Sequence, residues 1–149
     1  MDLLPVYEML EENKSFSGNP LCQESLAMSL DFYTRIGFHP PWICYYASQQ
    51  GNLVGCAAFK GRPVNGAVEI AYGVFDYCQN QGIGTTICRT LVELSLKTDP
   101  SVRITARTLP AENFSTRILI KNEFAWIGEV IDPEDGLVWE WEYRPPPAS

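Results

Sequence analysis

The sequence predicts a mixed α/β fold, with one mostly antiparallel sheet flanked by helices and a single strand–helix–strand crossover. Three observations carry that reading. Apolar residues recur at helical spacing before Pro40 and change to strand-like runs after it. The short segment Gly82-Ile83-Gly84 joins one of those runs to an amphipathic helical stretch. The last apolar run alternates Trp139, Trp141 and Tyr143 with Glu140 and Glu142, the mark of a strand with one buried face. The chain's 149 residues suit one domain with its own core, here residues 1–144, followed by a frayed proline tail over residues 145–149.

Taken in order, Leu3, Val6, Tyr7 and Leu10 predict a first helix, with Pro5 tolerated in its first turn. The polar run Lys14 to Asn19 reads as a loop. A second helix runs from Leu21 to Ile36, with Leu26, Leu30 and Tyr33 on one stripe and Gly37 as its stop. Ile43 to Ala47 and Leu53 to Phe59 form a hairpin across Gln49-Gln50-Gly51-Asn52. After the loop Lys60 to Gly66 comes a third strand, Ala67 to Val74. A helix from Gly82 to Lys97 places Ile83, Ile87, Leu91 and Leu94 on one face. A strand over Val102 to Arg107, a short helix over Glu112 to Asn122 and a strand over Phe124 to Val130 follow. The acidic turn Asp132 to Gly136 closes onto a last strand, Leu137 to Tyr143. The aromatic residues of that strand fill the core in the first instance and offer a homodimer contact in the second.

Charge and composition exclude whole classes of function. Eleven Lys and Arg against 18 Asp and Glu leave a net charge of −7 and no basic stripe, which argues against nucleic acid as a partner. No apolar run approaches the roughly 20 residues that span a bilayer. The first ten residues lack the basic patch of a secretory signal, so a cytoplasmic protein without membrane attachment is expected. The five cysteines are odd in number and without C-x-x-C spacing, and His39 is the sole histidine. That argues against a zinc site and a disulfide framework, and predicts packed, reduced thiols. His39 sits in the breaker run Phe38-His39-Pro40-Pro41, which leaves Cys–His and Ser–His–Asp chemistry without a base.

The segment with chemical content is Gln79-Asn80-Gln81-Gly82-Ile83-Gly84-Thr85, between a strand and a helix. Small residues there let exposed N–H groups and the positive end of the helix dipole meet an anion, pyrophosphate above all. No Lys-Ser or Lys-Thr follows the glycines, which excludes a Walker loop, and the dinucleotide fingerprint lacks its third glycine. Taken alone, the glycines serve equally well as a tight strand-to-helix turn. Glu69 alternates with Val68 and Ile70, so it is either an exposed strand carboxylate or a general base for an amine acceptor.

Gln79-x-x-Gly82-x-Gly84 resembles the Q/R-x-x-G-x-G/A signature of the GNAT superfamily of acyl-CoA-dependent N-acetyltransferases. Val68 to Tyr72, ten residues earlier, and the block Ser115 to Phe124 are similar to the ribosomal-protein N-acetyltransferase-like branch, and the likeness covers the chain from Pro41 onward. The resemblance implies a single-domain fold of that superfamily, whose crossover carries the CoA site, and direct acetyl transfer from acetyl-CoA to a primary amine, without metal. The acceptor would be a protein N-terminus, a lysine or a small amine. It implies that amides around Gln81, Gly82, Ile83, Gly84 and Thr85 cradle the pyrophosphate, with Gln79 bracing the loop. Backbone groups of Tyr72, Gly73 and Val74 would hold the pantetheine arm and polarise the thioester carbonyl. Asn113 and Ser115 would lie near the sulfur, Ser115 as proton donor, and Lys121 would face the phosphates. Glu69 would be the base. The same fold used only to bind acyl-CoA is the alternative, and thiol chemistry at Cys78 or Cys88 a third. Two positions depart from the branch: Glu112 where it has Asn, with Asn113 one step later, and Glu123 where it has Gly.

Overall fold

The computed structural model describes residues 1–147. A seven-stranded sheet in the order β1-β2-β3-β4-β5-β7-β6 forms its centre. The strands are β1 (Asp2–Pro5), β2 (Cys44–Gln49), β3 (Asn52–Phe59), β4 (Ala67–Val74), β5 (Arg103–Thr108), β6 (Phe124–Asp132) and β7 (Gly136–Tyr143). All neighbours pair antiparallel except β4 and β5. The helices are α1 (Lys14–Ser17), α2 (Gln23–Ile36), α3 (Ile83–Thr98) and α4 (Phe114–Lys121), with α3 as the crossover between the parallel strands. The last strand inserts between β5 and β6, so the closing hairpin lies across the sheet edge and its Trp141 is buried in the core. Trp126, on edge strand β6, is exposed. Of the proline tail, Pro145 to Pro147 are exposed irregular chain, and Ala148 and Ser149 lie outside the described residues.

The first predicted helix is absent. Residues 2–5 instead form edge strand β1, with Leu3 opposite Ala47 and Leu4 opposite Tyr46. An isolated helix this short has little stability in water, and Pro5 has no N–H to give to one. Pairing with β2 supplies backbone partners directly, and an edge is where a strand tolerates proline. The segment Lys14–Ser17, read as loop, is a one-turn helix that buries Phe16 against Tyr46, ring centroids 4.6 Å apart. Buried Asn13 organises the turn before it, accepting from the Tyr7 N–H at 2.8 Å and donating to the Tyr7 and Met9 carbonyls.

Alternation along the strands separates two faces. Cys44, Tyr46, Cys56, Ala58 and Ala71 turn toward α2, which is anchored by the Tyr33 hydroxyl: it donates to Val6 O at 2.8 Å and accepts from Cys44 N at 2.9 Å. Ile70 and Tyr72 turn toward α3, whose Ile83, Ile87, Cys88 and Leu91 are buried. The α4 helix lies against the first turn of α3. Buried Asn122 ties the two, donating to Thr85 O at 3.1 Å and Ile118 O at 3.0 Å. On α3 the Ser95 hydroxyl is fully buried with no hydrogen-bond partner among the described residues. Ser95→Ala removes that unmet group without changing the packing, so chemical denaturation should show a gain of about 1 kcal/mol.

Candidate active site

The parallel strands β4 and β5 stay paired from Ala67 opposite Arg103 to Ile70 opposite Ala106, and no further. Beyond that point β4 continues to Val74 along β3, and β5 continues to Thr108 along β7. The facing edges therefore hold unpaired peptide groups at the carboxyl ends of two parallel strands, where open α/β sheets bind ligands. Ala71, Tyr72, Thr108, Ser115 and Leu119 line this notch, a cavity of about 110 Å³.

The notch leads to the start of α3. Asn80 and Gly82 adopt the left-handed conformation (φ 64° and 75°), which turns the chain sharply into the helix. No side chain caps this end, and the helix's first internal bond is donated by Thr86 to Gly82 O. The amides of Ile83, Gly84 and Thr85 thus face outward without a helical acceptor. Across from them α4 presents Arg117 and Lys121, one turn apart, and the two elements enclose a cavity of about 260 Å³ with Asn80, Gly82 and Thr85. Donors, a helix dipole and two cations converge there, as an anion of two phosphates requires. Gly84 has a different task from Gly82. It is buried, and a Cβ there would lie 2.6 Å from Ile118 Cδ1. Its missing side chain lets α4 close on α3 and so brings Arg117 and Lys121 to the turn.

On the α2 side of the sheet, Glu69 is held in a charge cluster. Its Oε2 pairs with Lys60 Nζ at 3.1 Å and its Oε1 lies 3.7 Å from Arg107 Nε. Arg107 also binds Asp132 at 3.0 Å and Glu140 at 3.1 Å. The N–H of Glu134, then Arg107 and the N–H of Asp135 hold the Asp132 carboxyl down to about 2. Glu69 thereby faces a cavity of about 700 Å³ that α2, Lys60 and the Asp132–Glu134 turn enclose. These are three segments far apart in sequence. Acidic Asp31, Glu69, Asp132 and Glu134, with Lys60 and with Arg35 paired to Asp31 and Glu134, stand around an apolar floor that includes Met28, Phe32, Ala58 and Ala71.

The structure thus brings Glu69, Tyr72 and Ser115 to one notch, and Gly82, Thr85 and Lys121 to the adjoining anion pocket. Gly73 and Val74 lie on the free stretch of β4. Gln79 braces the loop, its amide 3.4 Å from Val74 O and from Asp76 Oδ1. Gln81 is exposed and does not line the pocket, and the buried Ile83 side chain belongs to the core, leaving only its amide outward. Asn113 does not reach the notch: its Oδ1 caps α4, accepting from Thr116 N at 3.1 Å. Glu123 follows the helix with φ 68°, the left-handed geometry that glycine adopts freely, so its effect falls on the helix end. Cys88 is buried against Tyr72, and burial pushes its thiol up to about 12, which leaves it inert. Cys78 is buried too, its thiol donating to Val54 O.

The sequence reading missed three residues. Arg117 was legible as the partner of Lys121 at i,i+4 on one helix face, and Asn80 as a residue type that tolerates positive φ. Arg107 carried no signal, because its partners come from β4, β6 and β7. Among the described residues no group of three or more His, Cys, Asp or Glu side chains is placed to hold a metal, and no helix is long and apolar enough to cross a membrane.

Comparison with known proteins agrees with this geometry. The sequence profile of the acetyltransferase (GNAT) family matches residues 4–126. No curated protein matches by sequence. Among solved structures, the chain resembles an aminoglycoside acetyltransferase, AAC(6')-Ib, in complex with coenzyme A. The identity is 26% and the TM-score 0.59, over 67% of this chain and 64% of that one, so the match spans less than two thirds of that enzyme. A ribosomal alpha-N-protein acetyltransferase in complex with coenzyme A shares the fold at TM-score 0.62 and 17% identity, over 80% of this chain and 68% of that one. A spermidine N-acetyltransferase chimera, part of it from Vibrio cholerae, does so at TM-score 0.67 and 13% identity, over 95% of this chain and 94% of that one. With the notch, the outward amides and the family match over the same elements, the chain belongs to the GNAT acetyltransferase family.

Proposed function

We propose that this chain transfers an acyl group, acetyl in the simplest case, from acetyl-CoA directly to a primary amine. The observation that carries the reading is the convergence of two unpaired strand edges with the uncapped start of α3. The residues fit the co-substrate: outward amides of Ile83, Gly84 and Thr85 with Arg117 and Lys121 for the pyrophosphate, and a peptide edge at Tyr72, Gly73 and Val74 for the pantetheine arm. When bound, acetyl-CoA supplies an activated thioester.

The chain's own groups then divide the work. Free backbone groups of β4 beyond Ala71 polarise the carbonyl, a task of oxyanion type. Glu69, fixed by Lys60 and Arg107, takes the proton of the incoming ammonium through a water, because only the neutral amine attacks. Ser115, in the second position of α4, offers its hydroxyl proton at the sulfur end of the notch. Asn113 acts indirectly, by capping the helix that carries Ser115. The acceptor enters the large cavity beside α2, whose four carboxylates outnumber Arg35 and Lys60 and so favour a cationic amine. A protein N-terminus, a lysine and a small amine remain the acceptor classes.

Calorimetric titration with acetyl-CoA, with NADH and ATP as controls, tests the reading. Saturable, CoA-selective binding is expected, and no binding at millimolar acetyl-CoA would sink it. The double variant Arg117→Ala, Lys121→Ala should weaken CoA binding about tenfold and flatten its salt dependence, since two charge-assisted contacts are lost. A titration at two ionic strengths checks this.

A further inference from the structure

A second cavity, of about 310 Å³, lies on the α2 side of the sheet and meets the notch at Ala71 and Tyr72. Small side chains carve it: Cys44, Cys56, Ala57, Ala58 and Ala71, with Gly73. A Cβ added at Gly73 would meet nothing within 4 Å, so open space begins directly at the free stretch of β4. No charged side chain lines it. Ser29 aside, which the larger cavity shares, its hydroxyls are engaged. Tyr46 Oη and Ser25 Oγ are 2.7 Å apart, Tyr45 Oη donates to Pro41 O at 2.6 Å, and Tyr72 turns toward Cys88 on the other face. The chamber therefore offers dispersion and dehydration, and nothing to a charged group.

The two chambers share Met28, Ser29, Cys44, Ala58 and Ala71, and differ in that charged side chains line only the larger one. A protonated acceptor belongs with Asp31, Glu69, Asp132 and Glu134 in the larger one. What extends from a carbonyl held at Tyr72–Val74 toward Ala71 and Gly73 is the acyl chain. A methyl group fills roughly 30 Å³, about one water, so an acetyl group would leave nearly all of this space empty or wet. Resting on the acyltransferase reading, we infer that the donor is an acyl-CoA with a medium aliphatic chain, and that the part of the chamber lined by Tyr45, Tyr46 and Cys56 sets its length. Atoms balance as in acetyl transfer: the C–S bond breaks, the C–N bond forms, one proton leaves the amine and one reaches the thiolate.

The test measures kcat/KM and affinity for acetyl-, butyryl-, hexanoyl- and octanoyl-CoA with one amine. Each buried methylene is worth up to about fourfold in affinity, so hexanoyl-CoA should exceed acetyl-CoA at least tenfold. Cys56→Leu, and separately Cys56→Met, fill the chamber from β3, away from the reacting groups and from the larger cavity. Either should bring hexanoyl-CoA to within about threefold of acetyl-CoA while acetyl-CoA affinity stays unchanged. Where either variant fails to fold, the wild-type affinity series reads the same preference. A flat or falling chain-length profile with saturable acetyl-CoA binding overturns the inference and leaves the acyltransferase reading standing. A preference that survives both substitutions overturns it as well. So does a gain found only with hexylamine over ethylamine as acceptor, which would give the chamber to the acceptor's apolar body. Absence of binding by any CoA ester overturns both readings together.

Discussion

Glu69→Gln is expected to lower kcat by about 10²-fold or more, with affinity for CoA within twofold of the native chain. The substitution keeps the shape of the side chain and removes the acceptor of the proton. Glu69 lies on the α2 side of β4, whereas the anion pocket is built by α3 and α4, so the two readouts are physically separate. The loss of its pairs with Lys60 and Arg107 should cost little, because partly exposed pairs contribute about 0–1 kcal/mol and Arg107 retains Asp132 and Glu140. A thermal melt close to the native one, beside a collapsed turnover, identifies a chemical role. Equal losses of turnover and stability would reduce Glu69 to a structural ion pair. A native chain that binds CoA but shows no turnover with any amine would favour the binding-module alternative.

Gly55→Ala should be the most damaging single-methyl change in the sheet. A Cβ at Gly55 would lie 2.2 Å from the Gly73 carbonyl oxygen and 3.0 Å from Ile87 Cδ1. The first obstacle is backbone in a paired strand and has no rotamer by which to retreat, so β3 and β4 must part. The expected loss is about 3 kcal/mol or more, a fall in Tm of roughly 6–12 °C for a domain of this size. Gly73 belongs to the free stretch of β4, so CoA affinity should fall as well. Gly84→Ala makes a contrast. Its obstacle at 2.6 Å is the end of the Ile118 side chain, which can turn aside, so the cost should be nearer 1 kcal/mol. Gly18→Ala, with nothing within 4 Å, should stay within about 0.5 kcal/mol. Denaturant melts of the three variants check the order. Stabilities ranked Gly55→Ala above Gly84→Ala would refute the packing argument.

These glycines show where local sequence stops informing. Gly82 is legible because its reason is local: a strand must turn into a helix, and φ 75° suits a residue without a side chain. Gly55 sits inside an ordinary apolar strand pattern. Its reason is the backbone of Gly73, 18 positions on, and only the pairing of β3 with β4 reveals it. Asn113 makes the same point for side chains. A cap and a ligand contact use the same amide oxygen, and the geometry of α4 commits it to the cap.

The sequence by itself determined the elements from Leu21 onward, the crossover, the strand-to-helix turn and the family. The family rests on the resemblance of its motifs; the others rest on short-range physics: the period of apolar residues, the stops at Gly37 and Pro40, and glycines at a turn. Tertiary structure alone decided the rest. It turned residues 2–5 into an edge strand, because a backbone ladder with β2 outweighs a marginal helix. It placed β7 between β5 and β6, parted β4 from β5 after Ile70, and surrounded Glu69 with Lys60, Arg107 and, through Arg107, Asp132 and Glu140. It also opened the apolar chamber beside Gly73. Ion pairs and cavities are properties of which strands become neighbours, and that choice is made by the whole chain's effort to bury its core.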